Sequence, residues 1–342
     1  MKITQLGRKK TPKSKVKRKI GNYLNYLKSR FDSASNLYFN ISEVEPKIFE
    51  CDLAETIKLE YCAVCGSNDK IYLYEKKIYP NPYNLCACNK CGHLYIDKPC
   101  INDWGEGEGK HGGAHGDEEE YTGTYVSNIV SEHKILAKKG IQFVADTIGD
   151  LKNKKALDYH FDLGGYSNEM LKYDMMVDGH EPSSENKKIA KEYFNIDETY
   201  QNDDMIKNDY YDFINIVRVF NHFYEPRHFV ELIKKKCKIG GHLYIVIKNG
   251  LMDIRRNGPW SASKRDHPHI FTEYSMTNLL CNSGFKIVAM EGVGDEFEKF
   301  NTHHHLHIIA EKTDEQINIG IKNYNNVIIH EYNTAMNQYL HY

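Results

Sequence analysis

No stretch of the sequence reaches the roughly 18 consecutive apolar residues that a membrane-spanning helix needs, which excludes a helical transmembrane reading. The N-terminus is basic yet has no apolar segment behind its charges, so it does not read as a secretory leader. Neither sign of charge prevails: 45 Lys and Arg stand against 47 Asp and Glu, a formal balance of −2. Apolar residues make up 41% and charged residues 27%, close to the globular average, which rules out a wholly disordered or fibrous chain. A length of 342 residues predicts about two domains. The nine cysteines are an odd number in a chain without an export signal, so they point to thiols and metal rather than disulfides. A cytoplasmic enzyme or binding protein is expected.

Charge is unevenly placed. Residues 1–31 hold eleven Lys and Arg and no acid, a tract suited to an anionic partner, either nucleic acid or a membrane surface. Val16, Ile20, Tyr23, Leu24, Leu27 and Phe31 recur at helical spacing, which predicts an amphipathic helix within a basic N-terminal arm, residues 1–58. The plainer alternative is that this helix packs on the body of the protein or on a second subunit of a homo-oligomer.

Cys62-x-x-Cys65-Gly66 and Cys88-x-x-Cys91-Gly92 form two matching knuckles. Four thiolates so paired suit one tetrahedral zinc ion, and a glycine after each pair lets the backbone turn around the sulfurs. Short strands are predicted over Lys70–Tyr74 and Ile78–Tyr83, giving a zinc-ribbon module at residues 59–100. Four thiolates close the coordination sphere, so the metal is expected to be structural. Cys86 and Cys100 are near enough to compete as ligands, but Cys86 lacks the knuckle spacing.

Residues 101–129 are rich in glycine and acid and read as a linker or a lid. His111 and His115 within them are expected to be solvated rather than metal-bound. From 130 to 312 short apolar strands alternate with helices, which predicts an α/β domain with a mostly parallel sheet and a ligand site at the carboxyl ends of its strands. Residues 313–342 form a C-terminal extension expected to pack on the domain or on another subunit. His303, His304, His305 and His307 open the last strand, where alternation argues against one shared metal site.

The segment Tyr211-Asp-Phe-Ile-Asn-Ile-Val-Arg-Val-Phe-Asn-His222, continuing through Pro226 to Gly240-Gly241 and Asn249, resembles the fourth-strand region of class I S-adenosylmethionine-dependent methyltransferases. Leu157-Asp158 resembles the end of that family's first strand, Gly179-His-Glu181-Pro182-Ser183 its second-strand signature, and His267 to Phe271 the element after strand five. The likeness implies a Rossmann-like, doubly wound, mostly parallel seven-stranded sheet, with a third strand near Tyr200. A pair of cysteine knuckles upstream resembles the branch that includes sugar C-methyltransferases. S-adenosylmethionine is then the implied cofactor, and a small molecule or sugar the acceptor. Glu181 would hold the ribose diol, Asp158 the methionine ammonium, and Asp203 or Asp204 the adenine. Gly164 would give the backbone clearance. For an acceptor that must lose a proton, a histidine titrating near neutrality suits the base: His222 first, then His267 and His269.

The chain departs from the family where glycines are expected. His160 and Asp162 stand at two of the three positions of the G-x-G-x-G loop, and Asn221 replaces the usual Glu before His222. Side chains there would crowd the methionine end of the cofactor, and a carboxylate would repel its carboxylate. A catalytically silent binding or assembly module is therefore the alternative, and a nucleic-acid methyltransferase using the basic arm a second. Neither an N/D-P-P-Y/F tetrad nor a Pro-Cys pair in the fourth-strand region is present to favour the latter.

Overall fold

The computed structural model describes residues 56–77, 82–100, 124–259, 265, 267–293, 305–314 and 320–340. Almost all of the basic arm, most of the glycine-rich stretch, and His111, His115, His303 and His304 lie outside them. In chain order the first elements are β1 (Lys70–Lys76), β2 (Tyr83–Cys88), β3 (Leu94–Ile96), α1 (Thr124–Ile148), β4 (Lys155–Tyr159), α2 (Gly165–Lys172), β5 (Met176–His180) and α3 (Ser184–Phe194). There follow β6 (Tyr211–Val217), α4 (Pro226–Lys236), β7 (Cys237–Lys248), α5 (Gly250–Asn257), β8 (His269–Ile270), α6 (Glu273–Asn282), β9 (Phe285–Val293), β10 (His305–Lys312) and α7 (Asn325–Leu340).

Sequence chemistry sets the element ends. Ser183 caps α3 by accepting the Asn186 N–H, and Thr272 caps α6 in a reciprocal box with Ser275, each satisfying N–H groups that the first turn leaves open. Pro226 opens α4, where its missing N–H costs nothing. Tyr211–Val217 is apolar almost throughout because both faces of β6 are covered.

The main sheet has six strands in the order β5-β4-β6-β7-β10-β9. The β4–β5, β4–β6 and β6–β7 pairs are parallel, whereas β10 runs antiparallel to both β7 and β9. Alternate side chains serve two cores. Leu157, Ile214, Ile216 and Ile245 pack with Phe229 and Ile233 of α4 and with Leu279 of α6. Ala156, Phe213, Tyr244 and Ile309 pack with Ala137 and Ile141 of α1 and with Met170 of α2. The fold is thus α/β and covered on both faces, as a Rossmann-like architecture requires, but the sheet is mixed and has six described strands rather than seven.

The expected third strand near Tyr200 is not formed. Thr199 and Tyr200 both donate their N–H groups to the single carbonyl of Gly179, at 2.8 and 3.1 Å. One shared acceptor cannot start a ladder, so the segment crosses the end of β5 and turns at Asp203–Met205. In the cysteine module, β2 begins at Tyr83, immediately after Pro82, which has no N–H to give a ladder; Ile78 to Asn81 lie outside the described residues. Gly240 and Gly241 fall inside β7. Gly240 has φ 73°, and a Cβ on Gly241 would meet the Tyr211 carbonyl oxygen at 2.9 Å.

The smaller sheet, β1-β2-β3-β8, is antiparallel. Its last strand comes from the segment after β7, so the cysteine module is stitched into the larger domain. Leu59, Cys62, Val64 and Tyr95 belong to the same apolar cluster as Tyr159 and Phe220. The C-terminal helix α7 closes the other side, placing Ile328, Tyr332 and Ala335 against Leu85, Leu94 and Ile254. No helix among the described residues is long and apolar enough to cross a membrane.

Candidate functional site

Two centres emerge, a cleft at the carboxyl ends of β4 and β6 and a cysteine cluster beside β8. The cleft encloses about 360 Å³ counted to its open mouth, lined by His133, Asp158, His160, Asp162, Asn215 and Arg218 among others.

The loop from β4 to α2 keeps the backbone of a glycine loop without its glycines. His160, Asp162 and Gly164 have φ of 54°, 52° and 83°, all left-handed, a region that favours glycine and that Asp and His visit more readily than most residues. Arg218, at the end of β6 and on the opposite wall, has φ 60°. Backbone held in such regions costs about 1–3 kcal/mol each and gathers at binding sites. Gly164 also needs its missing side chain, because a Cβ there would sit 3.0 Å from Cβ of Ala190.

Asp158 lies in the buried part of β4. Ser167 Oγ donates to its Oδ2 at 2.6 Å and Asn215 Nδ2 to its Oδ1 at 2.7 Å. Burial, only partly offset by these donors, pushes its carboxyl up to about 6. Asn215 is buried and faces the cleft, and its Oδ1 has no hydrogen-bond partner. An unmet acceptor beside a carboxylate is a site for a cationic N–H donor, which fits the ammonium of an amino-acid-bearing ligand.

Glu181 follows β5. Its Oε2 accepts the Asp162 N–H and its Oε1 the Ser183 N–H, each at 2.8 Å. Burial, reinforced by the Asp162 charge, pushes Glu181 up to about 8 despite those two donors. Asp203 is turned toward β4: Tyr159 Oη donates to its Oδ2 at 3.0 Å, and His180 lies 3.7 Å from its Oδ1. Asp204 is exposed. Of the residues expected to hold cofactor, Asp158 lines the cleft, Gly164 and Glu181 shape its loop, and Asp203 and Asp204 lie on the neighbouring turn. His133, Asn215 and Arg218 were missed. Asn215 and Arg218 sit inside the quoted fourth-strand segment, and only strand alternation could have marked Asn215 as facing Asp158.

The three candidate bases separate. His222 is buried, its ring centroid 4.3 Å from that of half-buried His267. His269 lies in β8, where its Nε2–H donates to the Tyr224 carbonyl at 2.9 Å and its Nδ1 meets His93 Nε2 at 3.0 Å. Burial lowers His269 to about 4, so it is neutral. It serves as a hydrogen-bonding strut between the cysteine module and the turn that carries His222.

The sulfurs of Cys62, Cys65, Cys88 and Cys91 all lie within 4.8 Å of one another. Cys62–Cys91 and Cys65–Cys88 are 3.6 and 3.4 Å apart, near the roughly 3.8 Å edge of a tetrahedron with 2.3 Å zinc–sulfur bonds. Gly66 and Gly92 follow at φ 73° and 79°, their N–H groups donating to the carbonyls of Cys62 and Cys88. Hydrogen bonds within the cluster pull Cys88 down and push Cys62 up; a dication removes that conflict by ionising all four. The donor set fits structural zinc.

A family model described as a methyltransferase domain matches residues 132–290. No curated protein matches the chain. Among solved structures, a putative methyltransferase from Bacillus halodurans is 14% identical, with 52% of this chain and 98% of that one covered and a TM-score of 0.41. Magnesium protoporphyrin IX methyltransferase from Synechocystis, with bound SAH, is 15% identical over 58% of this chain and 90% of its own, at 0.44. A putative methyltransferase from Haloferax volcanii, in complex with the Trm112 methyltransferase activator, is 15% identical over 55% and 93%, at 0.45. The family match, over less than half of the chain, supports a methyltransferase domain at residues 132–290.

Proposed function

We propose that the chain transfers a methyl group from S-adenosylmethionine to a small-molecule or sugar acceptor. The observation that carries this reading is the β4–α2 loop: three alternate left-handed positions, His160, Asp162 and Gly164, preserve a glycine-loop path beside Asp158 and the unmet acceptor of Asn215. When bound, the cofactor supplies a sulfonium-activated methyl. The chain's own part is to hold it in line with the acceptor and to exclude water. Asp158 and Asn215 take the ammonium end. Glu181, once ionised, accepts the ribose hydroxyls. His222, its ring packed against that of His267, takes a proton from an acceptor O–H or carbon acid. His269 positions that turn and takes no proton. The cysteine centre holds zinc structurally, and its module forms the wall on the acceptor side.

Calorimetric titration with S-adenosylhomocysteine tests the cofactor half. Binding in the micromolar range, lost on Asp158→Ala, is expected; no heat at millimolar ligand would leave the silent-module reading in its place. That second reading draws on Glu181, whose two oxygens are already engaged by backbone N–H groups. Turnover is the second test: where S-adenosylhomocysteine binds, methylation of a sugar or small-molecule acceptor is expected, and a silent module gives none.

A further inference from the structure

Asp162 occupies the loop position where a carboxylate is least expected, and it is already paired. His133 reaches over the loop from α1, and its Nε2 lies 3.2 Å from Asp162 Oδ2. The imidazole is largely buried, with 14% of its side chain exposed, while the carboxylate is 46% exposed toward the cleft mouth. The reach of His133 is fixed by packing: a Cβ on Gly165 would meet the His133 carbonyl oxygen at 3.2 Å and its Cβ at 3.3 Å, so α1 rests directly on the start of α2. Both residues line the cleft that holds Asp158 and Asn215. An amino-acid ligand whose ammonium meets those two brings its own carboxylate, bonded to the same carbon, into this cleft.

We propose that Asp162 is a built-in competitor for ligand entry: its carboxylate holds His133 until the carboxylate of an amino-acid-bearing ligand takes its place. This rests on the cofactor reading of the cleft. The exchange is one carboxylate for another at one imidazole, with no covalent step. Asp162 remains as a like charge that opposes the ligand, so the chain binds the ligand more weakly than its preformed loop allows. Because the backbone N–H of Asp162 is anchored to Glu181, its side chain can swing outward without the loop moving.

The test compares S-adenosylhomocysteine with 5′-methylthioadenosine, the same nucleoside thioether without the amino-acid end, by titration calorimetry. Asp162→Asn keeps the left-handed backbone and removes the charge. It is expected to tighten S-adenosylhomocysteine about tenfold more than methylthioadenosine, the scale of removing one like charge near a protein surface; the ribose contact that the lost charge eases at Glu181 is common to both ligands. Asp162→Gly, which suits φ 52°, should tighten it as well. His133→Gln added to Asp162→Asn should reverse the gain. An unchanged or weakened affinity for S-adenosylhomocysteine, or an equal gain for both ligands, overturns the competitor proposal and leaves the cofactor reading standing. If neither ligand binds any variant at millimolar concentration while all keep the parent melting temperature, the cofactor reading itself fails, and this proposal with it.

Discussion

Glu181 shows how one residue can link folding to ligand binding through pH. Its carboxyl is raised from 4.5 to about 8 by burial, with the Asp162 charge adding to it. Between those values the folded chain keeps a proton that the unfolded chain releases. Stability therefore falls as pH rises through the window, at up to about 1.4 kcal/mol per pH unit, and levels off above it. Glu181→Gln is expected to flatten the part of this slope between pH 6 and 8. Urea unfolding midpoints at four pH values would show it, and parallel curves for the two proteins would contradict it. A ribose diol donates to a carboxylate, so S-adenosylhomocysteine should expel the proton at pH 7. Calorimetry in two buffers of different ionisation enthalpy would register about half a proton or more released, against near zero for Glu181→Gln.

At the scale of elements, β8 matters more than its two residues suggest. His269 satisfies His93 and the Tyr224 carbonyl together, and Leu94 and Tyr95 pair with Ile270 and His269. His269→Phe strands a buried donor on His93 and a buried carbonyl, at about 1–3 kcal/mol for each unmet group. A loss of about 2–4 kcal/mol in denaturant unfolding is expected. The double variant His93→Leu with His269→Phe should lose less than the single, because it strands only the carbonyl; additive losses would show that the two imidazoles do not act as a pair. This strut could not be read from the sequence, since it joins residues 176 positions apart. Much else was legible. The alternation of short apolar strands with helices and the four thiols that converge followed from local pattern, because periodicity and knuckle spacing are local physics. The third strand failed because pairing depends on whether a partner edge has open carbonyls, and Gly179 offered one carbonyl to two donors. In the cleft, family position picked out Asp158, Gly164 and Glu181, whereas His133 enters only through the packing of α1 against Gly165.

For the whole molecule the question is whether the cysteine module melts alone. Its sheet borrows β8 from the large domain, and Arg227 of α4 donates to the Val64 carbonyl between Cys62 and Cys65. Gly92 of the second knuckle abuts the segment leading into α7: a Cβ there would meet the Tyr324 carbonyl carbon at 2.9 Å. Leu59, Val64 and Tyr95 share one apolar cluster with the centre of the main sheet. Such continuity makes independent unfolding costly, because exposing the module's inner face would also bare the edges of Phe220, Phe229 and Phe271. Zinc bound only by the folded chain stabilises it in proportion to the logarithm of its saturation. Metal removal is therefore expected to act on the whole chain. The chain should carry one zinc, and a strong chelator should lower the melting temperature by about 10 °C or more, with one transition seen alike by near-ultraviolet circular dichroism and by hydrogen exchange in β6 and β7. Cys88→Ser should do the same without chelator. If β6 and β7 keep their protection while the module's amides exchange, the module is a separable unit and cannot serve as a fixed wall of the site.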